Sequence, residues 1–360
     1  VGDKANDTVR VNGGELRCKV VGEGGNLGLT QLGRVEYCLN GGRSNTDFID
    51  NAGGGDCSDH EVNIKILLNS VVARGDLTEK HRNQLLEDMT DSVSELVLRN
   101  NYHQTQAISM AEAESFKRID EYRRIISTLD ENGRMDRELE FLPSDEEMQE
   151  RRARGVGLVR PELSVLISYC KGILKEELAV SDLPNDSYLS SAVEGAFPQR
   201  LLDEYGEEVH GHSLRKEIIA TQIANDLVNR VGVSFVSRLV SSTGSTVPEV
   251  AAAYITAVEI FQLQQQWEAV EALDHPVDSQ LQVEMFIDLV RLARRACSVA
   301  TRQPFGAQKS GCRSRPSWHQ FLFSTGLCGG TQNGSFLSSA GAGAGGLQTC
   351  DRFPAAPPSL

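Results

Sequence analysis

From Val62 to about Ala296, apolar residues recur at three- and four-residue spacing, the period of amphipathic helices. Val62, Ile66, Leu67-Leu68 and Val71-Val72 define a helix over about 59–73. Leu85, Leu86, Met89, Val93, Leu96 and Val97 extend the stripe. From Ser109 to Leu129 it continues in a highly charged form, with Glu114 and Arg118 as an i,i+4 pair on a solvated face. Ser144-Asp-Glu-Glu147 has the form of a capping box, and Gly155-Val-Gly-Leu-Val-Arg-Pro161 interrupts the helices, with Pro161 suited to a first turn. Further helices are expected at about 162–179, 188–204, 214–240, 248–272 and 279–296.

The amino-terminal stretch follows another rule. Leu16 to Val21, Val35 to Leu39 and Thr46 to Ile49 are short β-prone runs, separated by glycine turns that include Gly41-Gly42. Strands followed by helices predict an α/β start and a mostly α-helical continuation. The first run ends in Gly22-Glu-Gly-Gly-Asn26, a loop at a strand's carboxyl end, where open α/β sheets bind ligands. Gly22-x-Gly24 is not the dinucleotide fingerprint, because Leu27 stands at its sixth position and no helical pattern opens there. About twenty-five residues later comes Asn51-Ala-Gly-Gly-Gly55, then Ser58-Asp-His-Glu61, which fits a capping box. The spacing therefore predicts Ser58 as an N-cap, at a helix start whose N–H groups could receive a carboxylate or phosphate. Consecutive glycines ahead of it suggest close approach of a ligand.

Beyond Ala296 the pattern stops. Cys297 to Leu360 carries one acidic residue, Asp351, and is rich in Gly, Ser and Pro, including Gly341-Ala-Gly-Ala-Gly-Gly346. Such composition predicts a disordered, low-complexity tail, read here as the product of an altered reading frame. The expected divisions are thus 1–75, 76–154, 155–296 and 297–360.

Charge narrows the function classes. With 36 basic and 50 acidic residues the formal charge is −14, which argues against nucleic-acid partners and anionic membranes. No apolar stretch has membrane-spanning length and no signal peptide is visible. Eight Cys without regular spacing point to reduced thiols and a cytoplasmic setting; Cys18, Cys38, Cys57 and Cys170 read as core or loop residues. His210-Gly-His212 is a close His pair without an evident third ligand, so no metal site is expected.

Three motifs resemble the glutamate dehydrogenases, specifically the large bacterial NAD-dependent class. Small hexameric members carry Glu-Gly-Ala-Asn, later Asn-Ala-Gly-Gly, and a Ser seven residues beyond that Asn. Glu23-Gly-Gly-Asn26, Asn51-Ala-Gly-Gly54 and Ser58 stand in those places. Asp56-Cys-Ser-Asp-His-Glu-Val-Asn-Ile-Lys-Ile-Leu-Leu68 is similar to the large class nearly residue for residue, and a weaker likeness extends to about Ala296. The resemblance implies that the first 75 residues end a Rossmann-like dinucleotide-binding domain. It implies an NAD-dependent oxidoreductase that converts L-glutamate to 2-oxoglutarate and ammonium, homo-oligomeric as a full-length protein. By position, Asn26 would bond the nicotinamide ribose region and Asn51 the carboxamide side. Gly54 and Gly55 would wall nicotinamide and substrate, although the family carries a branched apolar residue where Gly55 stands. Ser58 would hold the side-chain carboxylate of glutamate.

The family's catalytic Lys and Asp and its pyrophosphate turn precede the region seen here, so no catalytic residue is assigned. The chain reads as the later portion of a longer polypeptide. Two rivals remain: a non-catalytic helical interaction or regulatory module, and another amino-acid dehydrogenase of the same superfamily, for which an apolar residue would replace Ser58. Incubated with NAD and glutamate, this chain alone is expected to produce no NADH absorbance; measurable NADH would overturn that expectation.

Overall fold

Helix takes over wherever the three-and-four spacing runs unbroken, and glycine or proline marks most of the places where it stops. In this computed structural model, residue 5, residues 7–25 and residues 28–302 are described, and they are 74% helical. After two 3-10 turns, Asp7–Val9 and Gly13–Glu15, come β1 (Val20–Val21), α1 (Gln31–Leu39), β2 (Arg43–Ser44) and α2 (Asp47–Asp50). Then come α3 (Ala52–Arg74), α4 (Glu79–Asp88), α5 (Thr90–Ser115), α6 (Ile119–Glu131), α7 (Asp145–Ala153) and α8 (Arg160–Ala179). A 3-10 run over Ser187–Ala196 leads to α9 (Gln199–His210), α10 (Arg215–Val231) and α11 (Ser234–Thr243). The described part closes with α12 (Val247–Ile260), α13 (Leu263–Glu271) and α14 (Ser279–Arg302).

The expected α/β cofactor domain is not there. β1 and β2 pair in parallel, Val20 with Arg43 and Val21 with Ser44, and this two-residue ladder is the whole of the sheet among the described residues. Parallel sheets persist when helices cover both faces, and Val20 is 66% exposed. The two other β-prone runs are helices. Thr30 Oγ1 accepts from Gly33 N at 3.1 Å and starts α1, which absorbs Val35 to Leu39. Thr46 O accepts from the amides of Ile49 and Asp50, turning Thr46 to Ile49 into α2. Local capping thus prevailed over β propensity, as it does when a short run has no neighbouring strand.

The helical reading needs smaller corrections. Gly232, at φ +85°, separates α10 from α11, and Gln262, at φ +51°, separates α12 from α13. Pro198 sits between the 3-10 run and α9. The capping box at Ser144 is formed, with Ser144 Oγ accepting from Glu147 N at 3.2 Å and Ser144 N donating to Glu147 at 2.9 Å. Glu114 and Arg118 pair at 2.6 Å, but Glu114 is buried: Arg291 of α14 closes over it, and Arg238 of α11 meets Glu121 nearby. The charges there belong to an interface rather than a solvated face. α14 runs past the expected break at 297, with Cys297 fully buried; residues 303–360 lie outside the described part.

The core is centred on α8 and α10, which lie against each other through Leu166, Ile167, Leu178, Ile219, Ala220 and Leu227, all nearly fully buried. α12 and α13 add Val250, Ala253 and Trp267, and α3 joins through Ile64, Leu67 and Leu68. Burial of this kind is the main stabilising term. Gly157, just before α8, is held at the carboxyl end of α5, where an added Cβ would fall 2.2 Å from Ser115 Oγ and 2.4 Å from Phe116 N. Gly157→Ala is therefore expected to cost about 2 kcal/mol or more in denaturant unfolding, the scale of overpacking. Gly172→Ala, inside α8 with nothing within 4 Å of its Cβ, should instead gain about 0.5–1 kcal/mol.

Candidate functional site

The glycine loop after β1 is anchored by charge. Glu23, 5% exposed, receives Arg34 of α1 through Nε at 2.5 Å and Nη2 at 3.0 Å, and Arg34 Nη2 also lies 3.1 Å from Asp47 of α2. Leu29 N donates to Glu23 at 3.0 Å, closing the loop on itself. Glu23 N donates to Asp50 Oδ2 at 3.0 Å, and Asn45 Nδ2 donates to Asp50 Oδ1 at 2.8 Å. Arg160 at the head of α8 reaches Asn45, Ser109 and Glu112. The loop containing Glu23 and the turn leading to Asn51 are therefore fastened together through Asp50. Asn26 itself lies outside the described residues.

Asn51 occupies the N-cap position of α3, half-buried, with its own amide donating to Asp47 O at 2.7 Å. α3 opens at Ala52 and runs through the glycines, so Ser58 does not cap it. Ser58 Oγ donates to Gly54 O at 3.1 Å, inside the second turn, and Glu61 pairs with Lys65 rather than reaching back to Ser58. The box failed because packing of α3 on α2 and α5 extends the helix by more than a turn ahead of Ser58. Its amino end is thus the Ala52–Gly54 turn, away from Ser58, where Gly54 N donates to Asn51 O at 3.4 Å. Gly54, Gly55 and Ser58 share one exposed stripe, continued by Val62 at 53% exposure. A Cβ on Gly54 or Gly55 would meet nothing within 4 Å, so bare backbone faces outward there.

The opposite side of the same turn lines a polar cavity of about 110 Å³. Ala52, Gly53 and Asp56 of α3 face Asn100, Asn101 and Gln104 of α5 across it. α8 contributes Lys171, and α10 contributes Asn225 and Asn229. Lys171 Nζ donates to Gln104 Oε1 at 2.8 Å. Burial pulls its pKa from an ordinary 10.5 down to about 7, a fall that the Asp56 carboxylate only partly opposes. None of these cavity residues was singled out from the sequence. The signal lay in spacing: Lys171 is four residues beyond Ile167 and three before Leu174, on the buried stripe of α8. Asn225 and Asn229 interrupt an apolar helix at i,i+4.

Other candidates resolve into structure. His212 donates from Nε2 to Asn63 O at 3.0 Å and accepts from Leu214 N at its Nδ1, while His210 lies 3.1 Å from Glu194. No group of three or more His, Cys, Asp and Glu among the described residues is arranged to hold a metal ion. Burial pushes the Cys38 thiol up to about 11 and those of Cys170 and Cys297 up to about 12, leaving little thiolate at neutral pH. No helix among the described residues is long and apolar enough to cross a membrane.

Residues 1–111 match the family described as "Bacterial NAD-glutamate dehydrogenase, catalytic domain", and residues 155–305 match "Glutamate dehydrogenase, C-terminal". The chain is 58% identical over 306 residues to the NAD-specific glutamate dehydrogenase of Halomonas elongata, covering 85% of this chain and 19% of that protein. It is 57% identical over 296 residues to the protein so named from Pseudomonas aeruginosa, and 41% identical over 296 to that of Mycobacterium tuberculosis. Each of those two alignments covers 82% of this chain and 18% of the relative. The chain belongs to the bacterial NAD-glutamate dehydrogenase family. It spans about a fifth of the length of the curated relatives it matches.

Two outcomes test this geometry. Arg34→Met strands the buried Glu23 carboxylate and is expected to cost about 3–5 kcal/mol in denaturant unfolding. Lys171→Met tests the lowered pKa. Between about pH 7 and about 10 the unfolded chain holds a proton that folded Lys171 lacks, so stability rises with pH across that window. The variant should lack this rise and be more stable than the parent below about pH 7, as read by denaturation at a series of pH values.

Proposed function

We propose that the whole protein oxidises L-glutamate to 2-oxoglutarate and ammonium with NAD as hydride acceptor, and that this chain supplies part of its nicotinamide and substrate-carboxylate surface. The observation that carries the reading is the pair of family matches, which fall on the motif-bearing residues 1–111 and on the helical residues 155–305. NAD, when bound, supplies the hydride-accepting ring. The exposed glycine backbone at the start of α3 suits a flat ring, because Gly54 and Gly55 leave open space where side chains would stand.

On this reading Asn26 and Asn51 hold the nicotinamide side, Gly54 and Gly55 form the wall beside it, and Ser58 receives the substrate's side-chain carboxylate. Ser58 lies one turn beyond Gly54, about 6 Å along the helix, close to the length of a glutamate side chain. Its hydroxyl can leave Gly54 O and donate to a carboxylate, a charge-assisted bond. A polar residue there favours an acidic substrate over an aliphatic one. The fastening of Glu23 N to Asp50 keeps the first loop beside Asn51, which supports a shared site for the two segments. The reading extends to a homo-oligomer in the cytoplasm, a setting in which unpaired thiols such as Cys18 and Cys57 persist.

Ser58→Ala in the whole protein should raise KM for glutamate about tenfold or more while leaving KM for NAD unchanged, the expected loss of one hydrogen bond to a charged group. An unaltered glutamate KM would refute the role of Ser58. Gly54→Ala should gain about 0.5–1 kcal/mol in helix stability yet lower kcat/KM, since the added methyl enters the surface assigned to the ring.

A further inference from the structure

The cavity behind the first turn of α3 brings one carboxylate, that of Asp56, together with side-chain amides from α5 and α10. Asn100 Nδ2 donates to Asp56 Oδ2 at 2.8 Å and Asn101 Nδ2 to Ile49 O at 2.9 Å, and both amides line the cavity. Asn229 is 8% exposed, and its Oδ1 has no hydrogen-bond partner. Asp56 adds a carboxylate, the one negative charge in the lining. A buried acceptor without a donor is costly, so Asn229 Oδ1, in a chamber shared with the Asp56 carboxylate, calls for a guest that donates. An anion would meet the Asp56 carboxylate and the unpartnered Asn229 oxygen. A cation bearing N–H groups would be bonded by both.

We propose that this cavity is an ammonium site, formed by Asp56 and the side-chain oxygens of Asn100, Asn101 and Asn229. At about 110 Å³ it has room for one such ion and a few waters, each water taking about 30 Å³. The positive group in the lining is Lys171; the rest are Ala52, Gly53, Val97 and amides, and His60 Nε2 of α3 lies 3.7 Å from the Asp56 carboxylate, so that a protonated His60 would also oppose a cation. Burial keeps Lys171 neutral above about pH 7, where its nitrogen becomes a further acceptor and no longer repels a cation. Binding should therefore strengthen as pH rises through that value. Ala52 and Gly53 form the cavity wall on the turn whose outer side carries Gly54 and Gly55, so the site lies one helix thickness from the surface assigned to substrate. The link to turnover rests on the proposed function, in which ammonium is a product; the binding itself does not.

The test is the melting temperature of the 360-residue chain in about 100 mM ammonium, potassium or sodium chloride at about pH 8 and about pH 6. Ammonium is expected to raise it by about 2 °C over either alkali salt at the higher pH and to lose that advantage at the lower. Asn229→Leu and Asp56→Asn should each abolish the difference, and Lys171→Met should make it equal at both pH values. Potassium matching or exceeding ammonium, an effect that survives both acceptor variants, or one indifferent to pH in the parent would each overturn the proposal. If Asn229→Leu does not fold, Asp56→Asn and Lys171→Met decide it. An inactive whole enzyme would refute the dehydrogenase reading and leave this result standing; indifference to ammonium would refute the cavity site and leave that reading intact.

Discussion

The buried pairing of Glu23 with Arg34 is the constraint on which the placement of the motif residues depends. Removing two charges from water is expensive, and this pair persists because the remaining valences are met: Arg34 also reaches Asp47, and Glu23 also receives Leu29 N. One guanidinium thereby ties three elements together, the loop after β1, helix α1 and helix α2. α2 passes through Asp50 directly into Asn51 and α3. Loss of the pair would leave a stranded charge and hold the glycine loop to the start of α3 only through Glu23 N and Asp50.

That first turn of α3 has two working sides because it is made of glycine and alanine. Its outer side presents bare backbone to the surface assigned to nicotinamide and substrate. Its inner side closes a polar chamber floored by α5, α8 and α10. A helix with ordinary side chains would bury one side and solvate the other. Here the small residues let both approach the same backbone, and the wall between them is a single turn thick.

Much of the helical architecture was legible in the spacing of apolar residues, because α8, α10, α12 and α14 bury broad stripes whose period is visible without tertiary knowledge. The breaks at Gly232 and Gln262 were less visible, since a single residue of positive φ leaves the apolar period almost unchanged. The strand readings failed for a different reason. Val35, Tyr37 and Leu39 alternate as a strand would, but the outcome was decided by the local Thr30 cap and by the pull of Glu23, in the preceding loop, on Arg34. Ser58 shows the limit of a local motif: Ser-x-x-Glu describes a helix start only if nothing upstream extends the helix. The motif segments around Glu23 and Asn51 could be read as a resemblance, whereas Lys171 and Asn229 could not, because a polar residue on an apolar stripe gains meaning only when its neighbours are known.

The contrast among the cysteines has a practical corollary. Cys18 and Cys57 sit at the surface and Cys170 is partly exposed, whereas Cys297 is fully buried on α14 and holds its proton tightly. A maleimide or other alkylating reagent would tag the first two in the native ensemble and reach Cys297 only through transient opening of α14. Peptide-resolved labelling of Cys297 over time would thus give a native clock for how often α14 leaves the core, without introducing a foreign probe.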